Sequence, residues 1–342
     1  MNRSTVRVPL IGAAALLPLA ALTACGSGDP AGGAIAVKAS DSSCEVAKSD
    51  AKAGKVTFEV TNSGTKVTEF YLYGEGDRIM GEVENITPGL TRRLIVEVPD
   101  AGKYQTACKP GMVGSGIRNV FTVTGSATKQ TDDDQKLADA AASYQRYVSS
   151  QADALGTKTN EFVDAVLAGN VAKAKQLYPV SRTYWERIEP VAESFGNLDP
   201  KIDGRVDALD PGMKVTGYHR LERDLWKNGL QPDSKQIAEQ LRADVQDIVN
   251  KAQTVRLNPL QLANGAKSLL DEVATGKITG EEDRYSHTDL YDFQGNVDGS
   301  QAAVATLRPV IDERDKALGA TLDKRFAAVD TLLEAQREGD GF

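Results

Sequence analysis

The stretch Thr216-Gly217-Tyr218-His219-Arg220-Leu221-Glu222-Arg223-Asp224-Leu225-Trp226 holds the residue types and spacing best suited to chemistry. Wound as a helix, it puts Tyr218, Leu221 and Leu225 on a face fit for a core, and His219, Glu222 and Trp226 on the next. An imidazole and a carboxylate then stand one turn apart and reach the same ion, an offset that iron-binding bundles use. A lone histidine is more often structural, so the pattern needs further oxygen donors. Tyr184-Trp185-Glu186-Arg187-Ile188-Glu189-Pro190-Val191-Ala192-Glu193 supplies a second acidic row, with Glu186, Glu189 and Glu193 on one side. Packed beside the His219 helix, this row would bring carboxylates to a shared cation. The alternative is that Glu186 and Glu193 are solvated, with Arg182 and Arg187 as partners, and that Pro190 kinks or starts a helix. Asp203, in the connection between the two elements, is the preferred extra oxygen donor. One nitrogen with several oxygens suits iron, and zinc or manganese nearly as well. The other histidine, His287 in Tyr285-Ser286-His287-Thr288-Asp289, either stabilises the fold or lines a pocket.

These residues must be held by helices, and the sequence supplies them after a sharp change in composition near residue 130. From there on, apolar residues recur at helical spacing, and the pattern predicts helices at about 135–155, 157–168, 171–195, 214–226, 234–255, 258–274 and 298–338, the last broken near Pro309. Several antiparallel helices imply a bundle. A weak echo between Ser181-Arg182-Thr183-Tyr184 and Ser286-His287-Thr288-Asp289 would fit two related half-bundles. Before residue 130, short Val-, Thr-, Phe- and Tyr-rich runs at 55–61, 69–73, 92–98 and 119–124 alternate with turn residues such as Asn62-Ser63-Gly64 and Pro88-Gly89. Such runs read as the strands of a small β-sandwich.

The N-terminus sets the compartment. Arg3 and Arg7 precede an apolar run from Val8 to Leu22 that is too short to span a bilayer, the pattern of a signal peptide. The run ends in Leu22-Thr23-Ala24-Cys25, which resembles a bacterial lipobox, where cleavage leaves the cysteine acylated. Cys25 is then a lipid anchor and the Gly- and Ser-containing stretch after it a spacer. Loss of residues 1–24 removes two bases and no acid, so 38 basic residues face 48 acidic ones and the formal net charge is −10. That balance argues against nucleic acid as a partner and suits cations. The boundaries are a signal peptide at 1–24, anchor and linker at 25–34, a strand domain at 35–125, a linker at 126–134 and a bundle at 135–342.

Two cysteines remain after lipidation, and outside the cytoplasm Cys44 and Cys108 are most simply a disulfide. Cys108-Lys109-Pro110-Gly111-Met112 resembles the loop that gives cupredoxins their copper-binding Cys and Met, although both histidines of the usual site are missing. In the bundle, Gly217-Tyr218-His219-Arg220-Leu221-Glu222 resembles the Gly-x-His-x-x-Glu signature of the imelysin family. Tyr184 to Gly196, followed by Asp199-Pro200, resembles its iron-uptake branch. The likeness covers most of 135–342. It implies a multidomain chain, an all-β cupredoxin-like sandwich followed by an all-α imelysin-like helical bundle. It also implies an iron-transport role, with an iron permease and a haem-dependent peroxidase as partners. Iron, ferrous or ferric, is the expected cargo, with zinc as a surrogate. In the strand domain the resemblance implies a copper or iron site built from Cys44, Glu69, Cys108 and Met112, the competing reading being a Cys44–Cys108 disulfide. Two enzymatic readings stay open, a copper-dependent ferrous oxidase and an imelysin-type metallopeptidase. No His-Glu-x-x-His, Gly-x-Ser-x-Gly or free thiol paired with histidine supports nucleophilic or standard zinc-peptidase chemistry.

Overall fold

The structure, a computed structural model, describes residues 33–126, 135–196, 198–205, 214–339 and 341–342. The signal-type segment, Cys25 and most of both linkers lie outside the described residues. The first part is a two-sheet sandwich of nine strands: β1 (Ile35–Ala39), β2 (Cys44–Val46), β3 (Asp50–Lys52), β4 (Gly54–Asn62), β5 (Thr68–Tyr73), β6 (Ile79–Ile86), β7 (Thr91–Val98), β8 (Gly102–Pro110) and β9 (Ile117–Thr124). One sheet runs β2-β1-β4-β7 and the other β3-β9-β8-β5-β6, with parallel pairs at β1/β4 and β3/β9. Alternation decides the faces. Along β4, Val56, Phe58 and Val60 turn inward, where Phe58 meets Phe70 and Phe121 at ring distances of 5.1 and 5.4 Å. Each buried phenylalanine of this kind contributes about 1.5–3 kcal/mol. The four strand runs read from the sequence lie within β4, β5, β7 and β9. Strand β6 escapes such a reading because Gly81, Glu82 and Glu84 interrupt its apolar residues, and β8 because lysine, glutamine and threonine dilute its few apolar ones.

The second part is helical: α1 (Gln135–Leu167), α2 (Val171–Glu186), α3 (Asp199–Ile202), α4 (Gly217–Arg223), α5 (Ser234–Ala252), α6 (Pro259–Thr275), α7 (Asp289–Arg314) and α8 (Lys316–Glu334). Three expectations are corrected. The helices expected at 135–155 and 157–168 are one, because Gly156 serves contact with α5, where a Cβ would stand 3.0 Å from Val249, and does not end a helix. The helix expected over 171–195 stops at Glu186, and a 3-10 segment, Glu189–Phe195, carries Pro190. The last helix is unbroken at Pro309. It begins at Asp289 and ends at Arg314, and the carboxylate of Asp315 caps α8 by accepting from the Leu318 N–H. The first turns of α7 escaped the sequence pattern because their inward side is polar or small: Asp292, Gly295, Asn296, Gly299 and Ser300. At Gly295 a Cβ would meet the Glu186 Cβ at 2.6 Å, so this glycine lets α7 lie directly on α2.

An aromatic core of Tyr144, Phe162, Tyr178, Trp185 and Tyr218 fills the bundle. The two domains touch where α6 and the Glu189–Phe195 segment meet β6 and β7. Arg92 pairs with Asp271 at 3.0 Å there, and Asn264 donates to the Ile95 carbonyl at 2.6 Å. Among the described residues, no helix is long and apolar enough to cross a membrane.

Candidate metal centre

Helix α4 starts at Gly217, whose φ of +70° and close approach to the Ile202 carbonyl admit no side chain. That contact docks α4 against α3 and aims its first turn inward. Tyr218 and Leu221 enter the core as the sequence pattern requires, and His219 and Glu222 are buried beside them at 2% and 1% exposure. His219 Nδ1 lies 3.5 Å from Glu222 Oε2 and 3.4 Å from the Tyr178 hydroxyl. Glu222 is itself fixed, its Oε1 accepting from the Tyr285 and Ser286 N–H groups at 2.8 and 2.7 Å and from the Ser286 hydroxyl at 2.9 Å.

The other ring nitrogen is the more telling one. His219 Nε2 is buried and makes no directed hydrogen bond, yet Asp203 Oδ1 stands 3.3 Å away and Glu282 Oε1 3.4 Å. Two donor sets therefore share one imidazole, Asp203–His219–Glu282 on one side and His219–Glu222–Asp283 on the other, with the ligand atoms of each within 4.8 Å of one another. Burial and Arg182 push the His219 pKa down, but the adjacent carboxylates of Asp203, Glu222 and Glu282 prevail and hold it well above the usual value. Burial likewise penalises the charged forms of Asp203, Glu222 and Glu282. Arg182 and His219 overcome this for Asp203, His219 and backbone N–H groups for Glu222, and Lys277 and His219 for Glu282, so all three carboxyls are held below their usual range. Burial instead raises Asp283 to about 6.

Around this pole lies more charge than a core normally holds. Arg182, wholly buried, donates to Asp203, to Glu186 at 2.7 Å and to Asp292 at 3.2 Å. Lys277, also buried, places its Nζ 3.2 Å from Glu186 Oε2 and 2.9 Å from both Glu189 oxygens. Arg205 reaches Glu282 at 2.9 Å. Seven carboxyl groups, Glu186, Glu189, Asp203, Glu222, Glu282, Asp283 and Asp292, thus surround four basic side chains, Arg182, Lys277, Arg205 and His219. Fully ionised, they would leave three negative charges unmatched, a balance that protons or a multivalent cation can restore.

Of the residues singled out from the sequence, the structure brings His219, Glu222 and Asp203 together. Glu186, buried, and Glu189, half-buried, lie nearby but hold Lys277, Arg182 and Asn296 and make no contact with His219; the pairing of Glu186 with Arg182 is the alternative reading in a buried form. Glu282 and Asp283 were missed. Their signal in the sequence is the Glu281-Glu282-Asp283 run just ahead of the Tyr285–Asp289 stretch that holds His287. His287 is exposed, with a φ of +58°, and lies outside the cluster.

In the sandwich, Cys44 and Cys108 form a disulfide that ties β2 of one sheet to β8 of the other. Cys108 and Phe70 face the core, while Glu69 points to the opposite side of its sheet and accepts from the Tyr71 hydroxyl at 2.9 Å. Met112 sits in the turn after β8 at a φ of +60°. The four residues expected to form a copper or iron site do not make a ligand set: both cysteine sulfurs are used in the disulfide, Glu69 lies across the sheet, and no histidine occurs before residue 219. The donor set does not fit a cupredoxin copper centre.

A strand sandwich fused to a bundle with a buried Gly-x-His-x-x-Glu turn defines a two-domain class of protein, and comparison with known proteins agrees. Residues 140–341 match the imelysin family and residues 12–123 the cupredoxin-like domain. The iron uptake system component EfeO of Escherichia coli (strain K12) is 39% identical over 316 residues, spanning 90% of this chain and 82% of that protein; EfeO of Shigella flexneri gives the same figures. Among solved structures, dithionite-reduced auracyanin from Roseiflexus castenholzii aligns with 28% of this chain and 99% of its own at 17% identity and a TM-score of 0.24. The chain belongs to the imelysin family, in its EfeO-type branch with a cupredoxin-like N-terminal domain.

Proposed function

We propose that the protein is an exported, lipid-anchored iron-binding component of an iron uptake system, holding iron at His219 and delivering it to a membrane permease, with a haem-dependent peroxidase as a further component. Iron is cargo here, so the site must bind and release. The observation that carries the reading is the His219 Nε2 atom, buried, without a directed partner, and faced by two carboxylates held in their ionised form. In this reading Nε2, Asp203 and Glu282 ligate the ion, and Glu222 orients the ring through Nδ1, the usual arrangement behind a metal-bound imidazole. Asp283 is an oxygen donor on the same side as Glu222. One nitrogen among hard oxygens suits ferrous or ferric iron. The protonated ring holds the place of the ion and must surrender its proton on binding, so affinity rises with pH. EfeO relatives, by name iron uptake components, support the cargo, and the apolar run ending at Cys25 supports export and anchoring.

The test is anaerobic Fe²⁺ titration and metal analysis of the mature protein. The wild type is expected to bind one equivalent, with affinity rising between pH 6 and pH 8. His219→Ala should lose that equivalent, and Glu282→Gln should weaken it by ~10-fold or more. Undiminished binding in His219→Ala would sink the reading.

A further inference from the structure

Glu186 and Glu189 converge on one point, and that point is filled by the chain's own ammonium. Lys277 Nζ touches three carboxylate oxygens, Glu186 Oε2 at 3.2 Å and Glu189 Oε1 and Oε2 at 2.9 Å each. Oxygens set this way, one glutamate with both atoms and another with one, form a seat for a hard cation. Asn296 on α7 forms its wall, with Nδ2 donating to Glu186 Oε2 at 2.9 Å and Glu189 Oε2 at 2.7 Å. Its own Oδ1 is fully buried and has no partner. A half-turn of that amide would exchange the donor for the unpartnered oxygen and present a third type of oxygen ligand to the seat.

Lys277 reaches this place from a three-residue turn, Lys277–Thr279, bounded by Gly276 and Gly280, the latter at a φ of +76°. A wholly buried ammonium is costly unless carboxylates compensate it, so the seat and the lysine depend on each other. The same loop continues into Glu282 and Asp283. It therefore delivers a cation to one pole of the acidic cluster and two carboxylates to the His219 pole. Glu186 joins the poles, giving Oε1 to Arg182 and Oε2 to Lys277, while Arg182 also holds Asp203.

We infer that Lys277 is a tethered cation that occupies a second metal seat formed by Glu186, Glu189 and Asn296, and so limits the bundle to one captured ion at His219. The inference rests on the His219 reading for the first ion, but the second seat stands on its own residues. An ammonium tethered to the chain is never released, whereas a second metal ion would have to be released in turn. Lys277 thereby fixes stoichiometry, and its charge beside Glu282 weakens the hold on the first ion.

The test replaces Lys277 with methionine, of similar length and no charge, in the full mature chain, and counts Fe²⁺ bound anaerobically, with Mn²⁺ as a second probe. The expected results are one equivalent in the wild type and in Lys277→Arg, two in Lys277→Met, and one again in Lys277→Met/Glu189→Gln. A gain of ion is an outcome that simple structural damage does not produce. Lys277→Gln, which retains hydrogen bonding, serves the same count should the methionine variant misfold. Unchanged stoichiometry in folded Lys277→Met and Lys277→Gln would overturn the inference. The two readings separate in Lys277→Met/His219→Ala, where one equivalent should persist at the second seat; if His219→Ala alone still binds its ion, the His219 reading fails while the Lys277 count remains decisive.

Discussion

The two domains bury opposite kinds of interior. Between its sheets the sandwich encloses Val37, Phe58, Phe70, Leu72, Val96 and Phe121 with one disulfide, an interior that serves only its own fold. The bundle has a comparable aromatic core, then adds a second interior of Arg182, Lys277, His219 and seven carboxyl groups. Buried charge is seldom the most stable way to fill space, and apolar replacements of similar volume are often neutral or stabilising. The charged interior is therefore the part that folding stability alone does not account for.

The strongest test of that contrast is Arg182→Met. It leaves Asp203, Glu186 and Asp292 without their shared counter-ion and should destabilise the bundle by about 5 kcal/mol, read from urea unfolding, while the sandwich unfolds as before. Iron should restore part of the loss, since an ion bound only by the folded state stabilises it by mass action. A cost below about 1 kcal/mol would mean that the carboxyl groups are already neutralised by protons, and the contrast would fail. The mirror experiment is Cys44→Ser/Cys108→Ser. The bridge closes a separation of 64 residues, for which chain entropy gives about 4 kcal/mol, all of it lost from the sandwich. Iron stoichiometry should stay at one, because no residue of the His219 pole belongs to the sandwich. Loss of iron binding in that variant would place the sandwich inside the site and break the division.

The same contrast explains what could be read in the sequence. Strands β4, β5, β7 and β9 and most helices were legible because apolar alternation and helical periodicity report a greasy interior, and a greasy interior is what builds them. A polar interior sends no such signal. The first turns of α7 bury Asp292, Gly295 and Asn296, which look like a loop in sequence. His219 and Glu222 were found because their spacing is local. Glu282 and Asp283 reach the ring from a loop some sixty residues further on, and only tertiary packing brings them there. Glu186 and Glu189 lie beside this cluster, but a glutamate row does not disclose that Lys277 will enter it.

The smallest predicted effect lies at the seam between the two interiors. Glu82 and Glu84 on β6 face Glu193 of the 3-10 segment, and these acids are tuned in the opposite sense to Asp203, Glu222 and Glu282. Burial, then the charges of Glu69, Glu193 and Asp199, raise Glu84 to about 8 against the pull of Lys109. Burial raises Glu193 to about 7 despite its bond to Glu82, and burial with Glu84 and Glu193 raises Glu82 well above its usual value. These groups hold protons more tightly folded than unfolded. Their contribution therefore favours the folded state below about pH 4.5, the unfolded value, and drains away as pH climbs to about 8. The melting temperature of the whole chain should fall by on the order of 5 °C between pH 5 and pH 8.5 on this account. Glu84→Gln/Glu193→Gln should flatten the decline, because glutamine keeps the shape and the hydrogen bonds without the ionisation. If the double variant follows the wild-type curve, the pH dependence belongs to Glu189 and Asp283 inside the bundle, and the seam is only a contact. If it flattens, the chain carries two acidic assemblies with different fillings, protons where the domains meet and fixed cations around His219.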